Sequence, residues 1–471
     1  MNINKITAVY FVGAGGIGMS ALIRYFLSKG KKVAGYDKTP SGLTEQLNYE
    51  GASIHYEDDV ELIPDAFTDP AKTLVVYTPA VPDDHSELCY FRGNGFEVMK
   101  RARVLGEITN CSRGLCVAGT HGKTTTSSMV AHLLKQSHVD CNAFLGGILK
   151  NYDSNLMLSD TSDLTVIEAD EFDRSFHWLT PYMAVITAAD PDHLDIYGTP
   201  EAYRESFEHF TSLIRPDGCL IMKKGIRVTP RLQEGVKLYT YTGADDENDL
   251  RRPADKADFH ADNVRIGNGE IFFDFVGPDV RIADVRLGVP VKVNIENGVA
   301  AMALAYLNGA TSEEIKRGMA SFAGPRRRFD FHLKKENIVL IDDYAHHPEE
   351  LKASILSVKE LYAGRKVTGV FQPHLYTRTR DFATGFASSL SLLDELILLD
   401  IYPAREEPIP GITSRIIFDA VTIPAKKLIR KEELLDTLTA EVDNLEVVLM
   451  VGAGNIELLV EPVRQILENK K

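Results

Sequence analysis

Nothing in these 471 residues provides for a membrane span, a disulfide framework or a strongly basic surface. No apolar run reaches the ~18 residues that a transmembrane helix requires, and Met1-Asn-Ile-Asn-Lys-Ile6 lacks the layout of a signal peptide. A cytoplasmic protein without membrane insertion is therefore expected. Cysteine is scarce: Cys89, Cys111, Cys116, Cys141 and Cys219 are odd in number and form no Cys-x-x-Cys pair. That pattern favours buried free thiols over disulfides or zinc ligands. Lys+Arg 52 against Asp+Glu 67 leaves a net charge of −15, which argues against nucleic acid or an anionic membrane as partner. An anionic ligand would then need local clusters of Arg. Tandem repeats and long low-complexity stretches are absent as well.

What is present is an α/β pattern too long for one core, and it divides into about three domains. The expected boundaries are 1–108, 109–324 and 325–471. The expected class is a Rossmann-like N-terminal domain, a central P-loop ATPase-like α/β domain and a Rossmann-like C-terminal domain.

The first part opens with a strand over Ala8–Val12, the turn Gly13-Ala-Gly-Gly-Ile-Gly18 and a helix over Met19–Ser28. A second strand, Lys32–Tyr36, ends at Asp37, 19 positions past Gly18. This is the dinucleotide fingerprint, with a pyrophosphate at the helix start and a ribose hydroxyl near the acid. The same turn grips any nucleoside diphosphate, so an NAD-dependent oxidoreductase is one reading of it. A third strand, Thr73–Tyr77, runs into the loop Thr78-Pro-Ala-Val-Pro82 at the carboxyl edge, where ligands of such sheets sit.

In the second part the apolar run Leu115–Ala118 stops at Gly119-Thr-His-Gly122, and Lys123 and Thr124 open a helix. Exposed amides, the positive end of the helix dipole and Lys123 suit triphosphate oxygens, while the Thr124 hydroxyl suits Mg²⁺. The spacing departs from the usual phosphate loop, which has Gly where Val117 stands. A strand over Leu164–Ile167 delivers Glu168-Ala-Asp-Glu-Phe-Asp173, and one over Met183–Thr187 delivers Asp190-Pro-Asp-His-Leu-Asp195. Any one of these acids could be a cap, but several of them beside a phosphate turn suit Mg²⁺, which takes oxygen ligands. His193, among Asp190, Asp192 and Asp195, is a candidate for a second metal or for a phosphate. Residues 244 to 260 are polar and read as a loop or strand connection.

The third part starts near Gly324-Pro-Arg-Arg-Arg-Phe329. Expected strands over Ile338–Ile341, Lys366–Phe371 and Val447–Val451 lead into Asp342-Asp-Tyr-Ala-His-His-Pro348, Gln372-Pro-His-Leu-Tyr-Thr-Arg-Thr-Arg380 and Gly452-Ala-Gly-Asn-Ile456. Pro348 suits the first turn of a helix. The carboxyl edge would thus carry His346, His374, Arg378 and a final Gly turn, with Arg326 open to a plain solvated role.

Taken together, Gly-Thr-His-Gly-Lys-Thr-Thr-Thr, Glu-Ala-Asp-Glu, Asp-His-Leu-Asp, Arg-Arg-Phe and Asp-Asp-Tyr-Ala-His-His-Pro resemble the Mur ligase family over nearly the whole chain. Gly-x-Gly-Gly-x-Gly-Met-Ser near the start and Gln-Pro-His-x-Tyr-Thr-Arg-Thr near residue 375 look like the member that joins L-alanine to UDP-N-acetylmuramate. The alternative is the sister that attaches a recycled tripeptide, which reads approximately Glu-Pro-Arg-Ser-Asn-Thr at the second motif.

The resemblance implies ATP and Mg²⁺, with Mn²⁺ able to substitute, an acyl-phosphate intermediate, and a monomer or weak homodimer. It implies ATP contacts from Gly119, Thr120, His121, Gly122, Lys123, Thr124 and Thr125. Asn294 and Asn297 would reach adenine, and Arg328 and Asp343 the phosphate and ribose side. Gly13, Gly15, Gly16, Gly18, Asp37, Thr78 and Ala80 would hold the UDP sugar. Thr124, Glu168 and His193 would hold metal, and Lys123, His193, His374 and Arg378 would act in the reaction, the last two orienting alanine and the muramoyl carboxylate. Residues 325–471 would close over ATP and the amino acid. The chain departs from the family pattern at Val293, where His is frequent, at Ala188-Ala189, where Asn-Ile is frequent, and at Asn455, where Asp is frequent. Phe207 aligns with a lysine that later members of the pathway carry as a carbamate.

Overall fold

Three sheets, each built mainly from parallel strands, organise the described residues. The computed structural model describes residues 5–110, 112–244, 257–267, 269–404 and 406–470. Strands β1 (Ala8–Val12), β2 (Lys32–Tyr36), β3 (Ser53–His55), β4 (Thr73–Tyr77) and β5 (Glu97–Lys100) form the first sheet. Their order is β3-β2-β1-β4-β5, parallel throughout. A parallel sheet must be covered on both faces, so its strands read as unbroken apolar runs rather than alternating ones. All five residues of β1 are buried. The order reverses between β1 and β4, which brings the Gly13 turn and Thr78 together at the switch point.

The second sheet uses β6 (Arg113–Ala118), β7 (Asn142–Leu149), β8 (Ser154–Met157), β9 (Leu164–Ala169), β10 (Pro181–Ile186), β11 (Cys219–Lys223), β12 (Lys237–Ala244), β13 (Phe259–Gly267), β14 (Glu270–Gly277) and β15 (Val280–Arg286). Their order is β15-β14-β13-β12-β11-β10-β6-β9-β7-β8. Because β6 lies between β9 and β10 in parallel register, the turns leaving all three strands meet at one edge. One apolar core, including Phe11, Met19, Ile23, Cys116, Ile167, Phe176 and Phe207, is continuous across the first and second sheets.

The third sheet is β16 (Asp330–Lys334), β17 (Val339–Asp343), β18 (Val367–Phe371), β19 (Glu395–Leu398), β20 (Lys426–Leu428) and β21 (Val447–Val451). Its order is β16-β17-β21-β18-β19-β20, with β16 alone antiparallel. By packing, the chain forms two compact units: residues 1–262, 275–282 and 296–321, and residues 263–274, 283–295 and 322–471.

Several expected bounds move. The first helix begins at Ile17, because Gly16 serves as its N-cap. β9 continues to Ala169, which makes Glu168 part of the strand rather than of the turn after it. The stretch read as a connection holds the end of β12 and the start of β13, while residues 245–256 lie outside the described residues. Cys116, Cys141 and Cys219 are buried free thiols, but Cys89 is exposed, within the helix Ser86–Gly93, where its Sγ reaches the Asp83 carbonyl at 3.3 Å. Cys111 lies outside the described residues.

Candidate functional site

The turn after β6 is held tightly from below. Gly119 has φ +143°, and a Cβ there would stand 2.1 Å from Thr187 Oγ1, so only glycine fits. Thr187 also donates to the His121 carbonyl at 2.5 Å, which braces the middle of the turn. Thr120 Oγ1 pairs with Tyr203 Oη at 2.7 Å and with the Asp190 carbonyl at 2.8 Å. Gly122, in the left-handed region, is the N-cap of the helix Lys123–Lys135 and supplies no capping side chain. The first amides of that helix therefore present their donors to an anion.

Lys123 and Thr124 each face a carboxylate. Lys123 Nζ donates to the Gly119 carbonyl at 2.7 Å and lies 2.6 Å from Glu171 Oε2. Glu171 is 2% exposed in its side chain, and burial raises its pKa while the Lys123 charge opposes that rise. Thr124 Oγ1 donates to Glu168 Oε1 at 3.0 Å, and the other Glu168 oxygen accepts from the Gly146 amide at 3.1 Å. A hydroxyl and a carboxylate fixed side by side, both hard oxygen donors, fit Mg²⁺. His193, expected beside them, instead adopts φ +52°, sets its ring 5.1 Å from that of Phe172 and lies 3.8 Å from Asp192. Among the described residues no three His, Cys, Asp or Glu side chains gather as a metal cluster. Asn297 is buried behind the turn, where its Oδ1 accepts from Thr126 at 3.2 Å and would lie 2.8 Å from a Cβ on Gly122. His121 is exposed and Thr125 half-buried on the same turn.

At the first sheet, Gly13 has φ +89°, and a Cβ there would meet Thr78 Cγ2 at 2.5 Å. Asp37, expected at a ribose, turns onto the loop and accepts from the Gly15 amide at 2.6 Å. A carboxylate next to an unsatisfied amide readily accepts a hydrogen bond from it. Gly16, Gly18 and Thr78 line a cavity of about 230 Å³ whose other walls include Arg101, Gly146, Glu168 and Asp170. The fingerprint loop and the Glu168 carboxylate thus line one open cleft. Ala80 is exposed and is not among the cavity's walls. Sequence reasoning gave no role to Arg101, Gly146 or Glu171, because a lone arginine or an extra motif acid carries no local signal of its partner.

The second unit has its own polar edge. Arg378 Nη1 lies 3.2 Å from His374 Nδ1, and the His374 ring stacks on Tyr402 at 5.8 Å. Arg328 is exposed over the Tyr344 ring. Burial raises the pKa of Asp343, with Ser354 and the Arg328 charge opposing. Arg327 is structural: it pairs with Asp342 at 3.3 Å and Glu457 at 2.9 Å. Gln372 joins β18 to the last Gly turn by donating to Asn455 at 3.0 Å and accepting from the Ile456 amide at 2.9 Å. Asn294 is buried and donates to the Val289 carbonyl at 3.2 Å, while Val293 is 53% exposed. Phe207 is fully buried against Phe176 and Tyr203.

Three family profiles match the chain in succession. Mur ligase family, catalytic domain, matches residues 8–113; Mur ligase middle domain matches 117–305; and Mur ligase, glutamate ligase domain, matches 327–454. The chain is 78% identical over 467 residues to the UDP-N-acetylmuramate--L-alanine ligase of Parabacteroides distasonis, covering 99% of this chain and 98% of that protein. It is 64% identical to the protein of the same name from Phocaeicola vulgatus, over 100% of both. Its fold resembles that of UDP-N-acetylmuramate-alanine ligase from Thermotoga maritima, with a TM-score of 0.80 and 26% identity, across 98% of this chain and 100% of that one. The murein peptide ligase of Psychrobacter arcticus shares the fold at a TM-score of 0.65 and 20% identity, across 99% of each.

Proposed function

The chain belongs to the Mur ligase family, and from that premise we propose that it joins L-alanine to UDP-N-acetylmuramate in peptidoglycan biosynthesis, with ATP cleaved to ADP and phosphate. The observation that carries this reading is the cavity that runs from Gly16, Gly18 and Thr78 to Glu168, beside the Lys123 turn. A sugar nucleotide bound at the fingerprint loop could extend its muramoyl carboxylate toward the phosphate site through that space. Residues 1–108 are assigned the UDP sugar, 109–324 the ATP phosphates, and 325–471 the amino acid.

A carboxylate is a poor electrophile, so the muramoyl oxygen takes the γ-phosphoryl group of ATP to give an acyl phosphate and ADP. The alanine amine then attacks the acyl carbon, and phosphate leaves from the tetrahedral intermediate as the amine loses its proton. The amides after Gly122 and the Lys123 ammonium hold the transferring group, with no reorganisation needed at the moment of transfer. To reach that group, Lys123 exchanges its Glu171 contact for phosphate oxygens. Thr124 and Glu168 would hold Mg²⁺, which would neutralise charge on the ATP phosphates. Asn297 keeps Gly122 in place from behind. His374 and Arg378 are assigned the alanine and muramoyl carboxylates, since a guanidinium meets a carboxylate in a bidentate fork.

Phosphate release measured with ATP, UDP-N-acetylmuramate and, in turn, alanine, glycine, serine and the recycled tripeptide tests the reading. Alanine should give the highest kcat/KM. Release driven by the tripeptide and not by alanine would transfer the chain to the recycling branch.

Phe207 bears on the metal. A phenyl ring sealed among Phe176 and Tyr203 has no amine to carbamylate. Turnover in CO₂-depleted buffer is therefore expected to match turnover with bicarbonate restored. A large and reversible bicarbonate requirement would mean that a lysine elsewhere carries a carbamate.

A further inference from the structure

Arg101 is the first residue of the helix Arg101–Thr109, which follows β5 without a loop. Its side chain is 23% exposed, and its charged partner is Asp170, at 3.6 Å. Two other arginines of this unit spend their donors at close range: Arg24 grips Glu50 at 2.8 and 3.0 Å and Asn155 at 2.7 Å, and Arg113 grips Asp163 at 2.8 to 3.1 Å. Arg101 has five N–H groups in a fixed plane and no comparably short partner.

Its position is electrostatically awkward. The guanidinium lies so close to Gly18 that a Cβ there would meet Nη1 at 2.8 Å. Gly18 belongs to the first turn of the helix Ile17–Ser28, which has no acidic residue in that turn and no capping side chain at Gly16. A cation at the positive end of a helix dipole is disfavoured unless an anion joins them, and here the nearby carboxylates are Asp170, 3.6 Å from the guanidinium, and Asp37, which accepts from the Gly15 amide at 2.6 Å. Arg101 and Gly18 line the same cavity as Glu168 and Asp170. The cavity thus holds a guanidinium beside the glycine turn, with its carboxylate partner Asp170 next to it.

We propose that Arg101 is a binding residue for the diphosphate of the sugar nucleotide, which draws the guanidinium from Asp170 into a bidentate contact at the Gly16–Gly18 turn. The assignment rests on the reading of the chain as a UDP-sugar ligase.

The test is calorimetry on the full chain and its Arg101→Ala, Arg101→Gln and Arg101→Lys variants, with UDP, UDP-N-acetylmuramate and ATP as separate ligands. Thermal unfolding identifies which variants are folded. The Kd for UDP and for UDP-N-acetylmuramate should rise about tenfold or more in the Ala and Gln variants, consistent with loss of a charge-assisted bidentate contact. Lys should restore part of the loss, and ATP affinity should stay within about twofold. Unchanged UDP binding in a folded Ala or Gln variant overturns the proposal. Weakening confined to UDP-N-acetylmuramate also overturns it, because the arginine would then hold the muramoyl carboxylate. Parallel loss of UDP and ATP affinity overturns it too, in favour of a brace acting through Asp170. If the unsubstituted chain binds neither uridine nucleotide, the functional reading itself fails, an outcome distinct from the other three.

Discussion

Lys123→Ala should lower kcat by about 10² to 10³ while leaving affinity for UDP-N-acetylmuramate intact. The loss corresponds to ~3 to 4 kcal/mol, the usual effect of deleting one preorganised charge from a group that develops charge in the transition state. The structure adds a second consequence. Glu171, 2% exposed, would lose the ammonium 2.6 Å away that counters its burial. Its folded pKa, already raised, would rise further, and a carboxyl whose pKa is raised by folding loses stability as pH climbs through the unfolded value. Lys123→Ala should therefore become less stable than the parent as pH rises above the ordinary carboxylate range, and Lys123→Ala/Glu171→Gln should remove that difference. Steady-state phosphate release and thermal unfolding against pH measure the two effects. Near-normal turnover in a folded Lys123→Ala would sink the assignment of the phosphate turn.

Arg378→Ala should lower kcat/KM for alanine by about 10- to 150-fold, the range for losing a hydrogen-bonded charge of ~1.5 to 3 kcal/mol. Lys should be a poor replacement, because an ammonium cannot reproduce the planar fork. His374→Ala should cost less. Its ring stacks on Tyr402 and touches Arg378 at 3.2 Å, so part of its role is to orient the guanidinium. Kinetics with alanine varied at saturating ATP and UDP sugar, alongside ATP affinity, separate the two roles. Unchanged alanine kinetics in both variants would move the amino-acid site elsewhere and weaken the preference for alanine over the tripeptide.

Elements with both ends marked chemically are legible in the sequence. Lys32–Tyr36, Thr73–Tyr77 and Val447–Val451 match the expected bounds because each apolar run stops at an acid, a Thr-Pro or a glycine. The helix at Lys123 follows from Gly122, whose left-handed backbone separates strand from helix. Tertiary partners are less legible. Thr124 and Glu168 are 44 residues apart, and sequence spacing put both at one sheet edge, where a 3.0 Å hydrogen bond joins them. Lys123 and Glu171 are 48 apart, and nothing local distinguishes Glu171 from Asp170 as the partner of the lysine. Asp37 shows the converse: its place after β2 is as expected, but its carboxylate satisfies a nearer donor, the Gly15 amide. The nicotinamide reading arose from the Gly13–Gly18 turn alone and gives no account of the paired Thr124 and Glu168.

The glycines around the phosphate turn limit how the protein can change. Beyond the collision already described at Gly119, a Cβ on Gly122 would come within 2.8 Å of Asn297 Oδ1, and one on Gly146 within 2.3 Å of Glu168 Oε2. A side chain at Gly119 or Gly146 displaces a group that the reaction or the turn depends on. An inhibitor that recognised the main chain at these positions, rather than neighbouring side chains, would leave few single substitutions through which the enzyme could escape it and still work.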